Sequence, residues 1–358
     1  MSETAILHVV SYDVSRGAER YARALVDNLN RQGQARHLLM TMFRGDEDTL
    51  GVDHALDVPR GRFRSLGFDP RVVKRMRRVV QDITPSAVVA HGGEPAKYAA
   101  FALPGHIPYA YLVIGSTHPK LSNPIRRALR KVYLDRATAI VTVSGALRDD
   151  VVAERPSVEM RTHVIPNARD ADTYKPDSHQ RTTTPRVIFI GRLEEQKRPH
   201  LFLDTVDSLS RRGVTMAAMI VGDGPLREEV DSRAGSLGVD VVGSRGDVPT
   251  LLSSSDLLVV TSCPPEGLPG VLIEAGLCGV AVVTTDVPGA RDVVEDDVTG
   301  IVVPVDAPEV LARAVETLTT DPERLDAMGR AAREHCLGLF TIDATVESWR
   351  LVIEGMMR

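Results

Sequence analysis

The sequence predicts an α/β protein made of two Rossmann-like halves, on three observations. The chain has 358 residues, more than one hydrophobic core organises, which argues for two domains of about 150–200 residues each. Short β-branched apolar runs alternate with segments of helical period, the pattern of a parallel sheet covered by helices. The composition, 43% hydrophobic and 25% charged, is globular and neither disordered nor fibrous.

Taken in order, the strands of the first half are expected at residues 6–10, 37–42, 87–90, 109–114, 139–143 and 163–165. The clearest helix between them covers 20–30, with Tyr21, Ala24, Leu25 and Leu29 on one face and Gly33 as a stop. The second half repeats the scheme with strands at 187–190, 219–221, 239–242, 257–260, 281–284 and 301–303. Between the halves, Asn167 to Pro185 has no apolar periodicity and is polar and proline-containing, as a linker is. Two helices close the chain, over 322–336 and 342–356, the second with Val346, Trp349, Leu351, Val352 and Met356 apolar.

Several classes are excluded early. No apolar run approaches the roughly 20 residues that span a bilayer. The N-terminal MSETAILHVV lacks the basic and apolar regions of a signal peptide, so the cytoplasm is the expected compartment. Cys263, Cys278 and Cys336 form no CxxC pair, which argues against a disulfide framework and a structural zinc. The charge is uneven: residues 1–166 hold 24 Lys and Arg against 17 Asp and Glu, and residues 167–358 hold 19 against 31. The basic half suits an anionic partner or surface.

That basic character concentrates in two segments. Arg60, Arg62, Arg64, Arg71, Lys74, Arg75, Arg77 and Arg78 lie close together, and a helix through the last five would bury Val72, Val73, Met76, Val79 and Val80 on the opposite face. A second helix is expected to set Arg126, Arg127, Arg130 and Lys131 against Ile125, Ala128, Leu129 and Val132. A solvated helix face explains each residue singly. Together they suit an acceptor with phosphate or carboxylate groups, or contact with an anionic membrane leaflet. Nucleic acid is disfavoured, since aromatics are only 4% and no recognition module appears.

Ligands of open α/β sheets bind at the carboxyl ends of the strands, so the loops there carry the chemistry. After 187–190 comes Gly191-Arg192-Leu193-Glu194-Glu195-Gln196-Lys197. A glycine admits close approach of backbone, and Arg192 and Lys197 can clamp two phosphates, the guanidinium as a planar fork and the ammonium as a point charge. After 219–221, Gly222-Asp223-Gly224-Pro225-Leu226 forms a tight turn before a helix N-terminus. It is not a dinucleotide fingerprint, because Arg227 stands where the third glycine belongs. After 257–260, Glu266 lies in a Gly/Pro loop and Glu274 about two turns into the following helix. Carboxylates suit sugar hydroxyls, and the helix end between them suits phosphate.

GRLEEQK at 191–197, VGDGPL at 221–226, EGLPGVLIEAG at 266–276 and VPGARDVVEDDVTGIVVP at 287–304, in that order, resemble the motifs of glycosyltransferase family 4, which is retaining and has the GT-B fold of two facing Rossmann-like domains with an interdomain cleft. RGAER at 16–20, VTVSGALRDD at 141–150 and VIPNARD at 164–170 are weaker matches. The resemblance implies an acceptor-binding domain over 1–166, a linker over 167–185, a nucleotide-sugar-binding domain over 186–340, and a terminal helix over 341–358 that crosses back to the first domain.

It also implies roles. Arg192 and Lys197 would hold the donor diphosphate and stabilise it on departure, Glu274 the ribose hydroxyls, and Glu266 the donor hexose. Backbone near Gly267, Leu268, Pro269, Val271 and Leu272 would meet sugar and phosphate, and Gly191, Gly222, Gly224 and Leu226 the nucleotide. His118 resembles the histidine that faces the donor sugar. The family's glycine pair before Ala-Glu is here Arg16-Gly17, so Gly17 keeps a donor contact while Arg16 departs from the pattern and suits an anionic acceptor, as does His91. Asn-Ala-Arg-Asp at 167–170 replaces the usual Asn-Gly-Val-Asp.

The expectation is a retaining hexosyltransferase that uses a nucleotide-diphosphate sugar such as a UDP- or GDP-hexose, with no metal or other cofactor, since no acidic metal motif stands beside these loops. Its acceptor is a hydroxyl, anionic or lipid-linked. A GT-B epimerase or phosphorylase and an inactive sugar-nucleotide-binding subunit remain as alternatives.

Overall fold

A computed structural model of the chain describes residues 4–12, 17–43, 50–59, 67–115, 124–177, 184–264 and 266–358. Arg16, His118, Arg60, Arg62 and Arg64 lie outside the described residues. The chain divides into two compact units, Met1–Asn167 with Ile342–Arg358, and Ala168–Thr341.

The first unit is built on seven parallel strands: β1 (Ala5–Tyr12), β2 (Arg36–Phe43), β3 (His54–Val58), β4 (Ala87–His91), β5 (Tyr109–Val113), β6 (Ala139–Thr142) and β7 (Thr162–Val164). Their order is β3-β2-β1-β4-β5-β6-β7. Strands β4, β5 and β6 are buried along their whole length, which explains why they read as continuous apolar runs and not as alternation. Strand β3 was not expected. Its HALDV buries only Leu56 and Val58, so it lacks the apolar run of its neighbours, and its register against β2 is irregular.

The expected 20–30 helix runs over Gly17–Gln32 (α1) and buries Tyr21, Ala22, Leu25, Val26 and Leu29. Helix α2 (Pro70–Ile83) starts at Asp69, whose carboxylate accepts the Arg71 N–H at 2.9 Å, and has Pro70 in its first turn, where a missing N–H costs nothing. Val72, Met76 and Val80 face inward, leaving Lys74, Arg75, Arg77 and Arg78 exposed as the periodicity predicts.

Helices α3 (Gly93–Ala102), α4 (Pro124–Arg136) and α5 (Gly145–Glu154) follow. In α4 Arg126, Arg127 and Lys131 are exposed as expected, but the polarity is corrected at Arg130, Ala128 and Val132. Arg130 is buried, donating to Glu154 Oε2 at 2.7 Å and to the Tyr111 hydroxyl at 3.1 Å, while Ala128 and Val132 are exposed. The inward face is carried by Tyr133, Leu134 and Ala137, so an arginine with polar partners sits where a small apolar stripe was expected.

The second unit has six parallel strands, β8 (Arg186–Ile190), β9 (Ala217–Val221), β10 (Asp240–Val241), β11 (Leu257–Val260), β12 (Ala281–Thr285) and β13 (Gly300–Val303), in the order β10-β9-β8-β11-β12-β13. Helices α6 (Pro199–Arg211), α7 (Arg227–Leu237), α8 (Val248–Ser253), α9 (Gly270–Leu277), α10 (Ala290–Val293), α11 (Pro308–Thr319) and α12 (Pro322–Leu339) connect and cover them. Each sheet doubles back at its first strand, between β1 and β4 and between β8 and β11, which is the Rossmann strand order.

Part of the stretch expected to be a linker packs onto this unit. The Arg169 N–H donates to Phe340 O at 2.8 Å, residue 169 bridges Thr341, and Tyr174 is buried. The final helix, α13 (Ile342–Met356), packs on the first unit through Trp349, which is fully buried and donates its indole N–H to the Tyr21 hydroxyl at 2.7 Å. Among the described residues no helix is long and apolar enough to cross a membrane.

Candidate active site

The carboxyl ends of β8 and β11 are neighbours in the second sheet and flank its point of reversal, the place where open α/β sheets bind ligands. The loop after β8 is tied to the loop after β9 by main chain alone: Gly191 N–H to Val221 O, Leu193 N–H to Asp223 O and Leu226 N–H to Leu193 O, each at 3.0 Å. The backbones are so close that a Cβ on Gly222 would stand 1.9 Å from Gly191 O, and one on Gly224 2.4 Å from Leu193 O. With φ of 151° and 158°, both positions also disfavour any side chain. The glycines of VGDGPL therefore serve contact between two loops. Helix α7 begins at Arg227, two residues beyond Pro225.

The same β8 loop is tied on its other side to the loop after β11. Cys263 N–H donates to Gln196 O at 2.9 Å, and the Thr261 hydroxyl donates to Lys197 O at 2.7 Å. These bonds hold the short 3-10 turn Glu195–Lys197 so that Lys197 Nζ lies 2.6 Å from Glu266 Oε2, with Gln196 Nε2 3.5 Å from the same oxygen. An ammonium carries three protons, so Lys197 can keep Glu266 and still donate to a further anion. Arg192 is more exposed, and its Nε donates to Glu194 Oε2 at 3.0 Å.

Beyond Glu266, helix α9 starts at Gly270. Pro269 is its N-cap and supplies no side-chain hydrogen bond, so the first-turn N–H groups present partial positive charge without a capping side chain. Glu274 thus stands one turn into the helix, not two, and is buried. Its Oε1 accepts from Arg169 Nε at 2.8 Å. Gly267, Leu268, Pro269 and Leu272 are buried, whereas Val271 is partly exposed.

Arg192, Lys197, Glu266, Glu274, Gly191, Gly222, Gly224 and Leu226 thus all lie on loops or helix starts after strands of this one unit. Sequence reasoning missed Arg169. It sat in an expected linker, and no spacing rule pairs it with a glutamate 105 residues away. The only signal was the departure of Asn-Ala-Arg-Asp from the family pattern.

In the first unit, Gly17 is the exposed first residue of α1. His91 is corrected from a loop residue facing an acceptor to a core residue. It ends β4 and is buried, with Nε2 3.0 Å from His8 Nδ1, while His8 Nε2 is 3.0 Å from His37 Nδ1. The Trp349 ring stacks on it at 6.3 Å. Burial lowers the pKa of all three imidazoles: to about 4 for His37, to about 3 for His91, and well below the usual value for His8, where the two neighbouring rings add to the effect. Burial also pushes the Cys278 and Cys336 thiols up to about 12, so neither is a ready nucleophile.

Two family models divide the chain between them, Glycosyltransferase Family 4 over residues 15–173 and Glycosyl transferases group 1 over residues 170–335. The GDP-mannose-dependent alpha-(1-6)-phosphatidylinositol monomannoside mannosyltransferase of Mycolicibacterium smegmatis is 30% identical over 296 residues, which covers 75% of this chain and 76% of that protein. The chain belongs to glycosyltransferase family 4. Its family 4 match to the alpha-D-kanosaminyltransferase of Streptomyces kanamyceticus is 28% identical over 238 residues and spans 61% of each chain, less than two thirds of that relative. Among solved structures, HepE of Anabaena in complex with UDP superposes with a TM-score of 0.82 at 19% identity, over 98% of this chain and 100% of that one. The likeness identifies the fold of this family 4 chain as GT-B, with two Rossmann-like domains.

Proposed function

We propose that the chain is a retaining hexosyltransferase that moves a hexosyl unit from a nucleotide-diphosphate sugar to a hydroxyl acceptor without a metal. The observation that carries this reading is the Lys197–Glu266 pair at the sheet reversal, beside the uncapped start of α9 and the buried Glu274. This arrangement supports the reading, since cations suit a diphosphate and carboxylates suit hydroxyls. Arg192 and Lys197 take up the negative charge that grows on the diphosphate as its bond to the anomeric carbon breaks. Glu266 holds the hexose, and Glu274 the ribose.

In the reaction, the acceptor oxygen bonds to the anomeric carbon on the face the diphosphate leaves. The acceptor proton passes to a departing phosphate oxygen. No covalent nucleophile is assigned. In the second unit the catalytic set is Arg192, Lys197 and Glu266. That relatives are named for GDP-mannose and that HepE was solved with UDP supports a nucleotide-sugar donor.

The acceptor is read as a hydroxyl compound that is anionic or lipid-linked. In the first unit, Lys74, Arg77 and Arg78 border a groove of about 610 Å³ lined by Phe68, Val73 and Phe101, which joins cations to aromatic surface.

The test is a thermal-shift panel of UDP-, GDP- and ADP-sugars in EDTA, followed by mass analysis of products made with hydroxyl acceptors. One nucleotide sugar should stabilise the protein in EDTA and yield a product heavier by one hexosyl unit. No stabilisation by any of them removes the donor assignment, and stabilisation that appears only when a divalent ion is restored removes the metal independence.

A further inference from the structure

Glu274 is a carboxylate with one oxygen occupied. Its Oε1 is held at 2.8 Å by Arg169 Nε, the two side chains being 8% and 12% exposed, and its Oε2 has no protein partner among the described residues. Arg169 is itself fixed by its backbone and by its side chain. Its backbone N–H donates to Phe340 O, residue 169 bridges Thr341, and its Nη1 donates to Ala168 O at 3.0 Å.

The third nitrogen, Nη2, fills the place a side chain would take at position 270. A Cβ on Gly270 would lie 2.2 Å from it. The guanidinium therefore rests against the first turn of α9, one turn from the carboxylate it grips. A planar fork held this way constrains direction as well as charge, which a flexible lysine would not.

We infer that Arg169 is a positioning residue for donor recognition: by clamping Oε1 it fixes the rotamer of Glu274 and presents Oε2 alone to the ribose hydroxyls of a nucleoside diphosphate. The inference rests on the proposed donor site and deepens it. Its physical basis is preorganisation. A carboxylate whose orientation is set before binding loses less freedom when a hydroxyl bonds to it.

The experiment measures affinity for UDP, GDP and ADP and for their 2′-deoxy counterparts by calorimetry, in the full chain and in the variants Arg169→Gln and Gly270→Ala. The first removes the fork, and the second displaces it with a single methyl group while leaving the arginine in place. In the unmodified chain, loss of the 2′-hydroxyl should weaken the preferred nucleotide about tenfold or more, as expected for a hydrogen bond to a charged group. In both variants the ratio of ribo to deoxy affinity should fall below about threefold. A merely structural Arg169 would weaken both nucleotides equally and leave the ratio intact, and that result overturns the inference while the proposed donor site stands. A ratio near one in the unmodified chain removes the ribose role of Glu274 and this inference with it. If Arg169→Gln does not fold, the Gly270→Ala ratio decides alone.

Discussion

Lys197 Nζ and Glu266 Oε2 stand 2.6 Å apart although they come from loops 69 residues apart in sequence. The pair joins the loops after β8 and β11 across the reversal of the sheet, so the residue assigned to phosphate and the residue assigned to sugar hold each other in register. Lys197→Ala should lower kcat/KM for transfer about 10²–10³-fold, the usual cost of deleting one preorganised charge-stabilising group. It also leaves Glu266 without its cation, which should cost about 1–3 kcal/mol of stability in urea titration. Transfer at the unmodified rate in this variant would remove Lys197 from the mechanism.

Glu274→Ala should abolish the thermal stabilisation given by the best nucleotide sugar. At a ligand concentration a hundred times Kd, that stabilisation amounts to about 2.7 kcal/mol in the unmodified chain. The variant also strands Arg169 in a nearly buried position, so its ligand-free stability should fall by about 3 kcal/mol. A full ligand-induced shift in the variant contradicts the assigned role.

Gly222→Ala places a methyl group against Gly191 O, where only backbone can move to relieve it. A loss of about 2–4 kcal/mol is expected from the clash and the disfavoured φ together. Because the strain falls on the loop carrying Arg192 and Lys197, donor-induced stabilisation should weaken too. Equal stability of variant and parent would show that the two loops are less tightly apposed.

The buried His8, His37 and His91 cluster should contribute to acid unfolding. All three pKa values are lowered by burial, so the native state keeps these rings neutral while an unfolded chain protonates them near 6.5. Their contribution is therefore complete above about pH 6.5 and is lost as pH falls from there toward about 4 for His37 and about 3 for His91. Each group steepens the loss by about 1.4 kcal/mol per pH unit within its window. Urea midpoints between pH 7 and 4.5 should fall, and a His8→Asn/His37→Asn/His91→Asn triple variant should show a flatter profile. An unchanged slope would assign acid unfolding to other groups.

Trp349 anchors α13 to the first unit by volume and by its bond to Tyr21. Trp349→Ala should cost about 3–5 kcal/mol by creating a cavity in a close-packed core. Tyr21→Phe, which removes the acceptor of the indole N–H, should cost about 1–2 kcal/mol. A Trp349→Ala variant that unfolds at the parental urea concentration would mean that this helix is held elsewhere.

The sequence alone determined the alternation of strands and helices, and so the fold class, because periodicity and β-branched runs are properties of a few neighbouring residues. It also placed Arg192, Lys197, Glu266 and Glu274 at strand ends, since each motif is contiguous. It missed β3, whose inward residues alternate with polar ones, and on α4 it misplaced Ala128, Val132 and Arg130, which is buried by partners, Glu154 and Tyr111, that local pattern does not reveal.

Tertiary structure decided the rest. Lys197 meeting Glu266, Arg169 meeting Glu274, and three histidines stacked on β2, β1 and β4 all depend on strand order within a sheet. Strand order comes from how crossovers close over long stretches of chain, and no short-range pattern encodes it.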